Sequence, residues 1–229
     1  MASFRGHLAF AGALGFVYGG MAHSELEFDT ATAVLGAGLT TVGGLLPDLD
    51  SDSGVPVREL FGLAAAVVPM LLFRRLMNAH FNDEELFVWL GGIYVFIRYI
   101  LSRIFKKLTV HRGMFHSIPA MLIAGMIVFL AYHHPLLRTR VFLAVGVMIG
   151  FLSHLVLDEL YSVDFRGLKI TLNKYAGSAV KFFSPSWIAN TIAYILLLIV
   201  IYFTLLDLER STEKQILPAS AKPTIKGLK

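Results

Sequence analysis

The chain has 229 residues, of which 56% are hydrophobic and only 16% charged, and its formal net charge is +4. Soluble domains carry about 25% charged residues, so this composition excludes a soluble enzyme with one globular core, a disordered chain and a nucleic-acid binder with a single basic face, and it predicts a membrane protein. Cysteine is absent. Disulfides, cysteine nucleophiles and thiolate metal sites are therefore excluded, and any metal must be held by His and carboxylate side chains.

Seven apolar stretches lack Asp, Glu, Lys and Arg. In chain order they are residues 8–22, 30–47, 60–73, 86–97, 117–137, 141–157 and 182–206. A helix that crosses a bilayer needs roughly 20 apolar residues, a length that the second, fifth, sixth and seventh stretches meet. The first, third and fourth reach it only if Phe4, Arg74–Met77 and Arg98–Phe105, respectively, add flanking turns whose cations snorkel to the interface. The sequence predicts an all-α polytopic bundle of about seven transmembrane helices.

The domain organisation follows from these stretches. We expect one transmembrane catalytic domain over residues 1–208 and a basic, disordered tail over residues 209–229. Residues 159–187 mix aromatic with basic side chains, which is typical of an interfacial segment near anionic headgroups, although a plain anchoring loop has the same composition. The links on the side of Met1 carry more Lys and Arg than the short links opposite, so the positive-inside rule predicts an integral inner (cytoplasmic) membrane protein with the Met1 side in the cytoplasm.

The most informative residues are ionisable groups at the ends of four predicted helices. They are His7 in the first, Asp48 and Asp50 after the second, His111 and His116 before the fifth, and His154 and Asp158 near the end of the sixth. With seven passes, all of them fall on the side of Met1. Ionisable groups are costly near a bilayer, so this co-location predicts a functional site at one membrane face, the cytoplasmic one.

His154 and Asp158 are separated by four residues on a predicted helix. This spacing stacks both side chains on one helical face and suits capture of a divalent ion. A capping Asp beside a structural His would have the same spacing.

A second motif, His111-Arg112-Gly113-Met114-Phe115-His116-Ser117, leads into the fifth helix. Two His, one Arg and a helix N-terminus suit a metal together with an anion, because exposed backbone N–H groups and Arg both favour phosphate. A basic interfacial loop is the alternative.

A third motif places Asp48, Asp50 and Asp52 at alternate positions after the second helix. Carboxylates this close repel one another unless a cation or protons intervene. With Glu59 they occupy positions 1, 3, 5 and 12 of a calcium loop, but Gly54 comes one place late for that motif. A transition-metal or magnesium site, a calcium site and a solvated acidic turn are the three alternatives.

Four elements of the chain resemble those of the YdjM-like membrane-bound metal-dependent hydrolases, a family of small bacterial and archaeal membrane proteins. They are Gly6-His7, Leu46-Pro47-Asp48-Leu49-Asp50, the 111–117 motif, and Ser153-His154-Leu155-Val156-Leu157-Asp158. The resemblance covers roughly residues 4–160 and implies a helical, zinc-dependent hydrolase.

The order of ligand types is also similar to that of zinc-dependent phospholipase C: an early His, then an Asp, a His group, and a late His-x-x-x-acid pair. That enzyme uses its N-terminal residue as a ligand, whereas Met1 here lies well before His7. A site for one or two ions is therefore easier to build than a site for three.

Together these features predict a membrane-embedded hydrolase that cleaves a phosphoester of a phospholipid or other lipid-borne phosphate with metal-activated water. The expected metal ligands are His7, Asp48, Asp50, His111, His116, His154 and Asp158. Zn²⁺ is the expected ion, with Mn²⁺ or Mg²⁺ as alternatives.

Three side chains are expected to act on the substrate. Asp50, or Asp48 in its place, would bridge the ions or act as a base, Asp52 is a further candidate base, and Arg112 would stabilise charge developing at phosphorus. Membrane lipids are the expected partners, without nucleic acid or an obligate protein partner. The alternative is a non-enzymatic protein that binds or transports divalent cations.

Overall fold

The structure is a computed structural model that describes residues 3–50, 54–79, 81–104, 114–161, 163–166, 169–172 and 181–216. Residues 50, 54–56, 163–166, 169–172 and 212–216 are described by their backbone alone.

Seven α-helices lie within these ranges, which confirms the predicted helical bundle. They are α1 (Phe4–Ser24), α2 (Thr30–Gly43), α3 (Gly54–Met77), α4 (Asp83–Val95), α5 (Ile118–Ala131), α6 (Leu137–Leu160) and α7 (Trp187–Ile216). A 3-10 helix, Leu46–Asp50, follows α2, and a π-helical segment, Phe96–Leu101, continues α4. The short antiparallel strands β1 (Val163–Arg166) and β2 (Lys169–Leu172) follow α6.

Four described helices are long and apolar enough to cross a membrane. They are Val57–Met77, Asp83–Ile104, Leu137–Leu160 and Trp187–Ser211. The third and fourth predicted segments reach this length through the flanking turns expected around Arg74 and Arg98.

The predicted lengths of the second and fifth segments were too long, because α2 and α5 have only 14 residues each. A stretch without charges is not the same as a helix. Gly44 and Pro47 end α2 and turn the chain into the 3-10 helix, and α5 ends at Ala131 before Pro135.

The C-terminal boundary also differs from the prediction. Helix α7 continues to Ile216, so residues 209–216 are helical rather than part of a disordered tail. Glu209, Arg210 and Lys214 are good helix formers, and they continue a helix that the preceding apolar residues have already nucleated. In the 159–187 segment, Glu159 and Leu160 still belong to α6, and the β-hairpin follows.

Helix α6 is the centre of the bundle. It is buried along most of its length and packs against α1, α2 and α5. Leu143 and Val147 of α6 lie in a core cluster with Ala22 and Leu39. A second cluster joins α3 to the π-helical segment through Phe61 and Ile97, among others. The helix ends on the side of His154 are thereby held in fixed positions by the packing of α6.

Glycines set the close approach of α2 and α6. A Cβ atom on Gly150 would lie 1.9 Å from the carbonyl oxygen of Thr40, and one on Gly43 would lie 2.3 Å from that of Val147. Only glycine allows the two backbones to come this close. We call Gly43, Gly44 and Gly150 the glycine seam. It also places Gly44 against α6, because a Cβ atom on Gly44 would lie 3.2 Å from the carbonyl oxygen of Gly150.

Candidate metal centre

Side chains from four separate segments meet at one end of the bundle. His7 lies in the first turn of α1, His116 just before α5, and His154 and Asp158 in the last turns of α6; each is at most 5% exposed. The side chain of Asp48, from the 3-10 helix, joins them and is 17% exposed. The structure brings these five predicted residues close together.

The orientation of His154 is set by the backbone of α2. Its Nδ1 atom lies 2.8 Å from the carbonyl oxygen of Gly44. Because a carbonyl can only accept, Nδ1 carries the proton and donates, which leaves the lone pair on Nε2. Nε2 is directed at Asp48, whose Oδ1 lies 3.7 Å away, and has no hydrogen-bond partner among the described residues. A backbone carbonyl that fixes the tautomer in this way is typical of a metal-binding His.

Asp158 is the carboxylate around which the three His are arranged. Its Oδ1 lies 3.3 Å from Nε2 of His7, and its Oδ2 lies 4.0 Å from Nε2 of both His116 and His154. Both oxygens of one carboxylate are therefore directed at imidazole nitrogens.

The His7 ring lies parallel to that of His154. Their centroids are 3.7 Å apart with an interplanar angle of 11°, and the His116 ring meets His154 edge-on at 5.5 Å. Nδ1 of His7 is buried and has no hydrogen-bond partner among the described residues. Burying an imidazole nitrogen without a partner costs free energy unless a further group, such as a metal ion, binds it.

The N-cap of α5 positions His116. Ser117 caps the helix by accepting a hydrogen bond from the Ala120 N–H at 3.3 Å, and Pro119 occupies the first turn, where its missing N–H costs nothing. The Ile118 N–H donates to the carbonyl of Lys181 at 3.0 Å. These contacts fix the backbone immediately after His116.

The 3-10 helix directs Asp48 toward the site. Leu46 packs on the core cluster of Leu143 and Val147, and Leu49 packs on the second cluster, which joins α3 to the π-helical segment. Residues three apart lie on the same side of a 3-10 helix, so Asp48 lies on another side. Pro47 is fully buried and fixes the turn.

Two groups of these side chains have the composition of a metal site: His7, His154 and Asp158, and Asp48, His116 and His154. In each group the ligand atoms lie within 4.8 Å of one another. His and carboxylate ligands bind Zn²⁺ at about 2.0–2.2 Å, so an ion requires only small shifts of these atoms. Together with the buried Nε2 of His154, which has no hydrogen-bond partner among the described residues, this ligand set fits a divalent metal.

The sequence of the chain gives the family. A sequence model of the YdjM inner membrane protein family matches residues 1–212. The chain belongs to the YdjM family. This match confirms the resemblance seen in the His and Asp motifs. It also confirms the prediction of a membrane protein. No curated protein and no solved structure matches the chain.

In this YdjM chain, several residues predicted for the site lie outside the described residues. These are His111, Arg112 and Asp52, and the side chain of Asp50, whose backbone belongs to the 3-10 helix. The calcium loop is not supported by Glu59. The Glu59 carboxylate is exposed and bonded to Arg58 at 3.1 Å, since residue 59 is already in α3.

Sequence reasoning about this YdjM chain missed the contribution of the glycine seam. The Gly44 carbonyl oxygen accepts the hydrogen bond from His154. Because Gly150 has no side chain, the Gly44 backbone can come close enough to α6 to make it. The signal was present as the Gly146-x-x-x-Gly150 spacing, a known motif for close helix packing in membranes.

Proposed function

We propose that this YdjM family member is a membrane-embedded, metal-dependent hydrolase that cleaves a phosphoester of a phospholipid or other lipid-borne phosphate. The observation that carries the proposal is the burial of His7, His116, His154 and Asp158 in one cluster, with Nε2 of His154 directed at Asp48. Structural histidines in a bundle have no need to share one carboxylate.

The metal would be held by His7, Asp48, His116, His154 and Asp158. The His-rich set favours Zn²⁺ over Mn²⁺ or Mg²⁺. His154 offers only Nε2, because Nδ1 is bonded to Gly44, so it can serve a single ion. A second ion would draw on the other ligands and on Asp50 and His111. When bound, a divalent ion lowers the pKa of a water ligand and polarises a phosphoryl oxygen.

The residues of the chain then divide the remaining tasks. Asp158 orients the imidazole of His7, 3.3 Å away. Asp48 is the most exposed of the described ligands, so we expect water and substrate to reach the site on its side. Asp50 and Asp52 are the candidate bases, and Arg112 is the candidate for stabilising the charge on phosphorus.

A lipid substrate is supported by the surroundings of the site. Exposed aromatic side chains of Tyr161, Phe182, Phe183 and Trp187 lie at the same end of the helices as His154. Aromatic residues concentrate at the membrane–water interface, the level of lipid phosphates. We place this face in the cytoplasm because its links are the more basic ones.

The experiment is a product search. The purified protein is incubated with mixed native lipids, with and without a chelator and with Zn²⁺ restored, and the lipids and the aqueous phase are analysed by mass spectrometry. We expect metal-dependent release of a phosphorylated headgroup or of phosphate, absent in His154→Ala and retained in His134→Ala, whose His lies in the α5–α6 connection.

Two results would overturn this proposal. Stoichiometric metal without any product would favour the alternative, a non-enzymatic protein that binds or transports divalent cations. Such a transporter would, however, place its ligands near the bilayer midplane on broken helices, whereas these lie at helix ends. Absence of both metal and product would remove the site itself.

A further inference from the structure

Arg98 is a cation within a membrane-spanning helix, outside the metal centre. It lies in the π-helical segment that continues α4, within the apolar span Asp83–Ile104. About 9 Å along the helix axis separates it from Ile104. A charge at such a position is costly and usually marks a function, and π-helical turns are frequent at functional sites.

The guanidinium of Arg98 lies in a groove between α4 and α3. One of its N–H groups donates to the carbonyl oxygen of Arg58. A Cβ atom on Gly62 would lie 3.1 Å from Nη1 and 3.5 Å from Cζ, so the missing side chain of Gly62 makes the room for the guanidinium. Ile97, the preceding residue, is buried against Val57 and Phe61 and anchors the backbone.

The charge of Arg98 is not balanced by a described carboxylate. Glu59 is the acidic residue on this stretch of α3, and its side chain is bonded to Arg58 instead, at 3.1 Å. A guanidinium has five N–H donors, and among the described residues only the Arg58 carbonyl accepts from Arg98. The described residues therefore supply neither a negative charge nor further hydrogen-bond acceptors for Arg98.

The surface around the groove is apolar. Phe96, Tyr99 and Ile100 on the same π-helical segment are each about half exposed, as expected for side chains that contact lipid. A ligand for Arg98 therefore has to carry its negative charge at the level of the lipids. Two oxygens of a phosphate group can accept a bidentate pair of hydrogen bonds from a guanidinium, and basic grooves between membrane helices bind lipid headgroups.

We propose that Arg98, held between Arg58 and Gly62, binds the phosphate of an anionic phospholipid in the groove between α3 and α4. This lipid site is independent of the metal centre and of the proposed hydrolase. Its occupant is a lipid that stabilises or localises the protein.

The test is native mass spectrometry of the full-length protein in detergent, titrated with phosphatidylglycerol or with phosphatidylcholine. We expect preferential binding of phosphatidylglycerol, weakened about tenfold in Arg98→Gln, the loss expected for one charge-assisted hydrogen bond. Arg103→Gln is the matched control, because Arg103 is an exposed cation beyond the groove near the end of the same helix. It should bind like the parent protein.

A second variant keeps the charge. Gly62→Ala places a methyl group against the guanidinium and should weaken phosphatidylglycerol binding while leaving the net charge unchanged. Thermal unfolding of each variant without added lipid checks that the fold is retained. Equal losses in Arg98→Gln and Arg103→Gln, or displacement of the lipid by millimolar inorganic phosphate, would overturn the lipid site.

Discussion

The Nδ1 atom of His154 lies 2.8 Å from the carbonyl oxygen of Gly44, and this one contact aims the other ring nitrogen at Asp48. We expect His154→Asn to keep an amide N–H near Gly44 but to lose the metal, because Nε2 is removed. The affinity for Zn²⁺ should fall by more than the roughly 10- to 100-fold that is typical when a residue that only hydrogen-bonds to a metal ligand is replaced. Metal content by mass spectrometry and thermal unfolding measure both effects, with His134→Asn as the control. Unchanged metal content in His154→Asn would exclude His154 as a ligand.

Asp158 lies within 4.0 Å of three imidazoles, so its negative charge is central to the cluster. Asp158→Asn keeps the shape and removes the charge, and we expect it to lose bound metal and all metal-dependent activity. Glu209→Gln removes an equally negative charge from an exposed position on α7 and should change neither. Isothermal titration with Zn²⁺ distinguishes the two variants. Equal Zn²⁺ affinities would show that Asp158 is structural.

The glycine seam predicts a stability effect that also reaches the metal. Gly150→Ala places a Cβ atom 1.9 Å from the Thr40 carbonyl and 2.8 Å from the Gly44 nitrogen. The overpacking should lower the free energy of unfolding by about 1–3 kcal/mol and weaken metal binding, because α2 and Gly44 must move away from His154. Gly38→Ala, on α2 with open space around it, should be neutral or stabilising by up to about 1 kcal/mol. Unfolding in detergent compares them, and equal stabilities would contradict the seam.

An ion pair at the opposite end of the bundle joins α7 to α6. Arg140 is buried, bonds to Asp207 and to the Phe129 carbonyl, and stacks on the Phe129 ring at 4.0 Å. Asp207→Asn leaves the buried cation without its partner and should cost about 3 kcal/mol. Adding Arg140→Met to it should recover part of this loss. A double-mutant cycle of unfolding free energies measures the coupling, and additive effects would show that the pair contributes nothing.

The orientation of the chain can be read from added cysteines, since the native chain has none. An impermeant thiol reagent should label Ser51→Cys only after the inner membrane is opened. The same reagent should label His134→Cys already in intact spheroplasts. This outcome follows from the three helices between the two positions and from the basic links on the side of Met1. Labelling of both from the same side would contradict the topology, and the reverse pattern would place the metal centre outside the cytoplasm.

Much of the fold was predictable from local pattern. The apolar stretches without charged residues predicted the helices. The prediction that the third and fourth helices need flanking turns at Arg74 and Arg98 is confirmed. The lengths of the second and fifth helices were not predicted correctly, because α2 ends at Gly43 and α5 at Ala131 while the sequence beyond each end stays free of charged residues. The end of α7 was also missed, since helix propensity in residues 209–216 acts only once the preceding helix exists.

For the site, the sequence alone determined which residue types gather and at which end of the bundle, because the number of crossings assigns each helix end to a face. His7, Asp48, His116, His154 and Asp158 needed nothing more. Only the tertiary structure decided that Gly44 sets the tautomer of His154, that Asp158 is shared among three imidazoles, and that Arg98 lies against Gly62 rather than beside an acid. Each of these depends on how closely two helices approach, and that distance is fixed by long-range packing between residues far apart in the chain.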